Sequence, residues 1–234
     1  MNKMIELSPR LRMVADMVPA GARLADVGTD HAYLPAALLL EKKIPAAVAA
    51  DLRPGPLSRA KLTAEEYELE ECISFCLCDG LKGISADQVD AVVIAGMGGE
   101  TIRDILKAAP WTREQNVPLV LQPMSTMSEL REWLVSNGYT IREERLAQEG
   151  DTIYTALLVG AGEMSPLSPA ELWAGKNTSD RLRGPWLDRW LHKTETALKG
   201  LAQSKQEQAA QRIEALEQVR DGLLSMKKEW ETWQ

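Results

Sequence analysis

The sequence is short of the features that most quickly assign a chain to a class. It has only three cysteines in 234 residues, an odd number clustered at Cys72, Cys76 and Cys78. They cannot frame a disulfide scaffold, and they suit a reduced cytosolic chain better than a secreted one. A zinc reading of Cys-x3-Cys-x-Cys lacks a nearby histidine and a fourth ligand, so alternation along a strand from Ile73 to Cys78 is the simpler account and no metal is expected. No apolar run approaches the ~18 residues needed to span a bilayer, and Lys3 and Glu6 interrupt what would be the apolar part of a signal segment. No membrane association is therefore expected. Basic residues are not in excess either: 27 Lys+Arg face 34 Asp+Glu, a formal charge of −7. Such an average argues against a polyanionic partner, because phosphate contacts need Lys and Arg, but it is silent on where the charges sit.

What is present reads as an ordinary globular chain, 45% hydrophobic and 26% charged, long enough for one large domain or a main domain with an appendage. Ser8-Pro9 is an N-cap and first-turn proline ahead of Leu11, Val14 and Val18, so a leading helix is expected. Apolar runs at 22–27, 46–51, 72–78, 89–95 and 117–122 then alternate with helix-period segments near 33–42, 55–70, 99–108 and 126–136. Five β-then-α units in succession imply a parallel sheet covered by helices on both faces. Segments 139–147 and 152–159 follow with only Gln148 to Asp151 between them, a connection that allows an antiparallel hairpin alone. A mostly parallel sheet ending in such a hairpin is the layout of class I Rossmann-like methyltransferases.

A boundary is expected at 160–168, dividing a main domain, 1–160, from a helical lobe, 161–234. In the lobe, Leu187, Leu191, Thr194, Leu198 and Leu201 form one heptad seam, and Leu216, Val219, Leu223, Met226, Trp230 and Trp233 a second. An antiparallel, coiled-coil-like hairpin follows, with Gln203 to Gln208 either breaking the helix or lying on its surface. The charge divides at the same place. The lobe carries 11 basic and 11 acidic side chains, which leaves 16 and 23, the whole −7, to residues 1–160.

The chemistry lies at the strand ends. The first strand runs into Asp26-Val27-Gly28-Thr29-Asp30-His31, where a dinucleotide fold would have further glycines to admit a pyrophosphate. Asp30 would repel a phosphate, whereas a sulfonium or amino-acid ligand tolerates it. Asp51, 23 residues after Gly28, is placed to accept ribose hydroxyls, and Asp79 beside Gly80 can take the exocyclic amine of an adenine. Three acidic strand ends describe a pocket for a nucleoside without phosphates, for which S-adenosylmethionine is the natural candidate. At the fourth strand's end Gly96-Met97-Gly98-Gly99 would let a substrate ring lie against main chain. An Asn/Asp-Pro-Pro-aromatic tetrad is absent there, which points away from methylation of exocyclic amines. Gln122, at the fifth strand's end, faces the same edge and could contact a base.

The segments Asp-Val-Gly-Thr-Asp-His-Ala-Tyr-Leu-Pro (26–35), Ala-Gly-Met-Gly-Gly (95–99) and Leu-Gln-Pro-Met (121–124), with the helical C-terminal hairpin, resemble the bacterial TrmK family of tRNA (adenine(22)-N1)-methyltransferases over essentially the whole chain. The resemblance implies a class I methyltransferase domain, S-adenosylmethionine as donor, tRNA as partner and N1-methyladenosine as product. It implies cofactor roles for Asp26, Gly28, Asp30, His31, Asp51, Asp79 and Gly96, to which their neighbours Thr29, Leu52, Gly80 and Met97 are added. Asp30 is the expected catalytic carboxylate, stabilising the cationic ring that methylation creates, with Asp26 orienting on the cofactor side. Substrate contacts are expected from Tyr33, Gly98, Gly99 and Gln122, from Arg10, Arg12, Arg53 and Arg59 at the pocket rim, and from Lys176, Arg181, Arg183, Arg189 and Lys193 on the lobe. A cytoplasmic monomer or weak dimer is expected. Two other readings stay open: a methyltransferase acting on a small molecule or protein, and a non-catalytic module that retains the nucleoside pocket.

Overall fold

A computed structural model describes residues 4–176, 178–203 and 209–233. The chain divides into two compact units, Met1–Met164 and Ser165–Gln234.

In the first unit Ser8 caps α1 (Pro9–Met17), its hydroxyl accepting the Leu11 N–H. Strands β1 (Leu24–Val27), β2 (Ala47–Asp51), β3 (Ile73–Leu77), β4 (Ala91–Gly98) and β5 (Leu119–Ser125) alternate with α2 (Tyr33–Leu40), α3 (Pro54–Tyr67), α4 (Gly99–Lys107), the single-turn α5 (Trp111–Glu114) and α6 (Met127–Ser136). The hairpin β6 (Tyr139–Glu149) and β7 (Thr152–Ala161) completes a seven-stranded sheet of order β3-β2-β1-β4-β5-β7-β6, parallel except where β7 runs against β5 and β6. The fold is thus a class I Rossmann-like methyltransferase fold. Its central strands are largely apolar because both their faces are covered, with Asp26, Asp51 and Gln122 standing towards their C-terminal ends. In β4, Ala91 and Val93 face the cluster built with α1, α2 and α3, while Val92 and Ile94 face the one built with α4 and α6.

Two features of the sheet position the site. Strand order reverses between β1 and β4, so the helices that follow them leave on opposite faces and a crevice opens beyond their C-terminal ends. β4 also runs three residues further than its apolar run. Its register against β5 shifts at Met97, with Gly96 as the extra residue in the left-handed region (φ 77°), and the bulge re-aims the strand end towards the crevice.

In the second unit α7 (Pro169–Ala174) opens with a capping box between Ser168 and Glu171. The longer α8 (Arg183–Ala202) and α9 (Ala209–Glu231) form the expected antiparallel pair: Gly184 near the start of α8 meets the Trp230 ring near the end of α9, and Asp188 pairs with Lys227. Leu187, Leu191, Thr194, Val219 and Leu223 are buried in the seam. Trp233, expected as the seam's last member, lies beyond the helix and is exposed. Of the polar stretch 203–208, residues 204–208 lie outside the described residues.

Arg183 is not the surface cation that the sequence suggested. It is 2% exposed, and its guanidinium donates to the carbonyls of Ala174 and Gly175 (the latter 2.8 Å), while Trp186 Nε1 donates to Ala174 O at 3.0 Å. A helix end leaves its last carbonyls without intrahelical donors and carries partial negative charge, and a buried cation satisfies both demands at the C-terminus of α7. Arg183 therefore has no free face for RNA.

Candidate active site

The crevice at the β1/β4 reversal has a volume of about 270 Å³ and is lined by Arg10, Asp26, Gly28, Thr29, Asp30, His31, Tyr33 and Gly96, with apolar walls from Leu11, Leu34 and Ala95. A larger hollow, about 470 Å³, sits at the opposite edge of the sheet beside Arg23, Glu70 and Gln88, away from every strand-end carboxylate. Asp26 and Asp30 line the smaller one.

The turn after β1 makes the crevice floor. Gly28, Asp30 and Ala32 all adopt left-handed backbone (φ 78°, 46° and 55°), and the N–H groups of Gly28 and Thr29 both reach Ala50 O, at 2.8 and 3.1 Å. This tight path carries Asp26 inward and Asp30 outward. Asp26 is 5% exposed and accepts a 2.6 Å hydrogen bond from Thr29 Oγ1. Burial, with a smaller contribution from the like charge of Asp51, pushes its carboxyl up to about 6. Asp30 projects to solvent, paired with Arg59 of α3 and 3.8 Å from His31 Nε2. The His31 and Tyr33 rings lie parallel with centroids 5.2 Å apart, leaving Tyr33 45% exposed at the mouth.

Asp51, Leu52, Asp79 and Gly80 follow along the same sheet edge without lining the crevice. Asp51 is buried and accepts the Arg53 N–H at 2.8 Å. Leu52 is exposed, and Asp79 forms a surface pair with Lys82 at 2.5 Å.

Several expected roles change on contact with the structure. Gln122 cannot read a base edge, because it is fully buried: its Oε1 accepts from Arg10 Nη1 (2.9 Å) and Gly96 N (3.1 Å), and its Nε2 donates to Pro123 O (3.0 Å). Arg10 is accordingly drawn into the crevice instead of standing on its rim, with the Tyr154 ring 5.7 Å from its guanidinium carbon. Arg12 pairs with Glu41 at the far end of α2, about 12 Å of helix from the crevice. The glycines also have internal reasons. A Cβ on Gly99 would collide with Thr126 O and one on Gly28 with Met97 Cε, while one on Gly98 would come within 3.1 Å of Ser125 Oγ and one on Gly80 within 2.8 Å of the Ile105 side chain. Gly98 and Gly99 thus have a packing role against β5 and the turn after it. Gly96 is different, since only Arg10 Nη1 lies near, at 3.7 Å, and its main chain faces the crevice. Reasoning from sequence missed the Arg10–Gln122 and Asp30–Arg59 partnerships, which join residues 112 and 29 positions apart with no local signal.

Among the described residues no cluster of His, Cys, Asp and Glu is arranged to hold a metal, and no helix is long and apolar enough to cross a membrane. Cys72, Cys76 and Cys78 are free thiols, and burial pushes the Cys78 thiol up to about 11.

Residues 7–157 match a family described as a methyltransferase domain. The tRNA (adenine(22)-N(1))-methyltransferase of Bacillus subtilis is 38% identical over 159 residues, 68% of this chain and 67% of that protein. The crystal structure of the B. subtilis m1A22 tRNA methyltransferase TrmK superposes with a TM-score of 0.84 at 31% identity, covering 95% of this chain and 99% of that one. Streptococcus pneumoniae Sp1610 in complex with S-adenosyl-L-methionine gives 0.79 at 33% identity, over 92% and 100% of the two chains.

Proposed function

The chain belongs to the methyltransferase-domain family and within it to the TrmK family of tRNA (adenine(22)-N1)-methyltransferases, and from that membership we propose that it transfers the methyl group of S-adenosylmethionine to N1 of adenine 22 in tRNA. The observation that carries the reading is a crevice suited to a zwitterionic nucleoside: Arg10 and Asp26 inside it, Asp30 at its mouth, and Asp51 on the next strand. The residues fit such a cofactor. A buried carboxylate held near 6 is relieved by a cation, and Arg10, fixed by Gln122, is its complement for a carboxylate. In this reading Asp51 accepts ribose hydroxyls, exposed Leu52 covers a face of the adenine and Asp79 takes its amine.

S-adenosylmethionine, when bound, supplies an electrophilic methyl group on a sulfonium. N1 of adenine attacks through an in-plane lone pair and has no proton to lose, so the protein needs no general base. Its task is to position the base, exclude water and stabilise the cationic ring. Asp26, buried and held by Thr29, faces the cofactor side, which leaves Asp30 as the carboxylate at the mouth. N1 lies on the Watson–Crick edge, so the target adenine must leave its stack, and the exposed face of Tyr33, backed by His31, offers a surface to receive it. On the lobe, Lys176, Arg181, Arg189 and Lys193 supply phosphate contacts in this reading. A cytoplasmic setting and action as a monomer or weak dimer go with it.

The test is transfer of labelled methyl to unmodified tRNA, with the product nucleoside identified by mass. N1-methyladenosine confined to position 22 is the expected product. Label in another nucleoside, or none, refutes the proposal.

A further inference from the structure

The carboxylate at the mouth of the crevice is not free. Asp30 is held in left-handed backbone (φ 46°), which turns its side chain outward, and there it forms an ion pair with Arg59 from α3, the helix that follows the next strand. Both groups remain in contact with water, Asp30 60% and Arg59 45% exposed, so the pair is a surface pair, weak and open to competition. The only other basic group within 4 Å of Asp30 among the described residues is His31, at 3.8 Å. A guanidinium against this carboxylate opposes the one thing that the proposed reaction asks of it, since a neutralised Asp30 stabilises a cationic ring less than a free one does.

Resting on the tRNA reading above, we propose that Arg59 is a positioning residue that exchanges partners. In the free protein it holds Asp30, and when RNA arrives it turns to a backbone phosphate, releasing the Asp30 carboxylate to face the base. A phosphate can compete for this guanidinium because the pair with Asp30 is exposed and made through Nη2 alone, whereas a phosphate can be held bidentately. The exchange ties the full charge of Asp30 to the presence of substrate, and it explains why a carboxylate and an arginine stand together at the mouth of a crevice that must bind an anionic polymer.

The experiment measures affinity for unmodified tRNA across a salt series, with S-adenosylhomocysteine present, for the wild type, Asp30→Asn, Arg59→Gln, Arg59→Lys and the Asp30→Asn/Arg59→Gln pair. Cofactor affinity and turnover are measured alongside. Asp30→Asn lets Arg59 bind phosphate without first breaking a pair, so it binds tRNA about 2- to 5-fold tighter although it turns over more slowly. Arg59→Gln binds more weakly, with a salt slope shallower by about 1, while Arg59→Lys keeps the slope. The decisive readout is coupling: in the double variant the gain from Asp30→Asn disappears. If that gain persists without Arg59, Asp30 acts only as a repelling charge and the exchange is refuted. It is equally refuted if Arg59→Gln weakens cofactor binding and leaves tRNA binding intact, because the pair is then a strut of the cofactor pocket. A wild type that methylates tRNA while its Asp30→Asn variant binds no tighter sinks the exchange alone. A wild type that transfers nothing to tRNA sinks the functional reading and the exchange with it.

Discussion

Asp26→Asn is expected to stabilise the free protein in a way that depends on pH. The folded chain holds this carboxyl at about 6 against an ordinary value of 3.8, chiefly because burial disfavours the charged form. Between those two values the folded state binds the proton and the unfolded state does not, so stability falls as pH rises through the window and is flat above it. At about 1.4 kcal/mol per pH unit, the ionised side chain costs the folded chain about 3 kcal/mol at neutral pH. Asparagine keeps the shape and can still accept the Thr29 hydroxyl, but it carries no charge. Denaturation of both proteins from pH 4 to 8 should therefore give a difference near zero at pH 4 that grows to about 3 kcal/mol by pH 7, or roughly 6–12 °C in melting temperature. Cofactor binding should show the mirror image, with wild-type affinity declining up to tenfold per pH unit below 6 and the variant weak and flat, if the buried charge exists to meet a cation. Parallel stability curves across pH 4–7 would refute the reasoning, since they would mean that Asp26 is not the group carrying the proton.

Two further substitutions probe the frame of the site, and a third, with its control, the helical unit. Gly99→Ala drives a methyl into Thr126 O, forcing the start of α4 away from the turn after β5; a loss of about 1–3 kcal/mol in denaturation and weaker cofactor binding are expected. Gln122→Leu keeps the volume but strands the Gly96 N–H and frees Arg10, so calorimetry should show cofactor affinity down about tenfold or more with only moderate loss of stability. Arg183→Ala removes the buried donors to Ala174 and Gly175 and should cost about 3 kcal/mol or more in unfolding of the helical unit followed by circular dichroism; Arg189→Ala, on the same helix, should not.

The parallel strands were legible because burial on two faces forces continuous apolar runs such as Ala91 to Ile94 and Leu119 to Leu121. The hairpin was legible from the shortness of Gln148 to Asp151. The single-turn α5 is too short to show a helical period, and α7, six residues beside the expected boundary at 160–168, is scarcely longer. At the site, acidic strand ends could be read because a known topology brings strand ends together. Arg183 and Gln122 could not. A buried arginine and a buried glutamine look on paper like surface ones, and only tertiary contact reveals that their polar atoms are spent on carbonyls and N–H groups.

The left-handed backbone at Asp30 has a consequence for engineering. Any residue with a side chain is disfavoured there relative to glycine by about 1 kcal/mol, aspartate somewhat less than most. A screen for heat resistance that ignored turnover would therefore favour Asp30→Gly, easing the turn and also deleting the charge that Arg59 guards. In the proposed mechanism heat resistance and activity compete at this one position, and a chain hardened there would make a good scaffold and a poor catalyst.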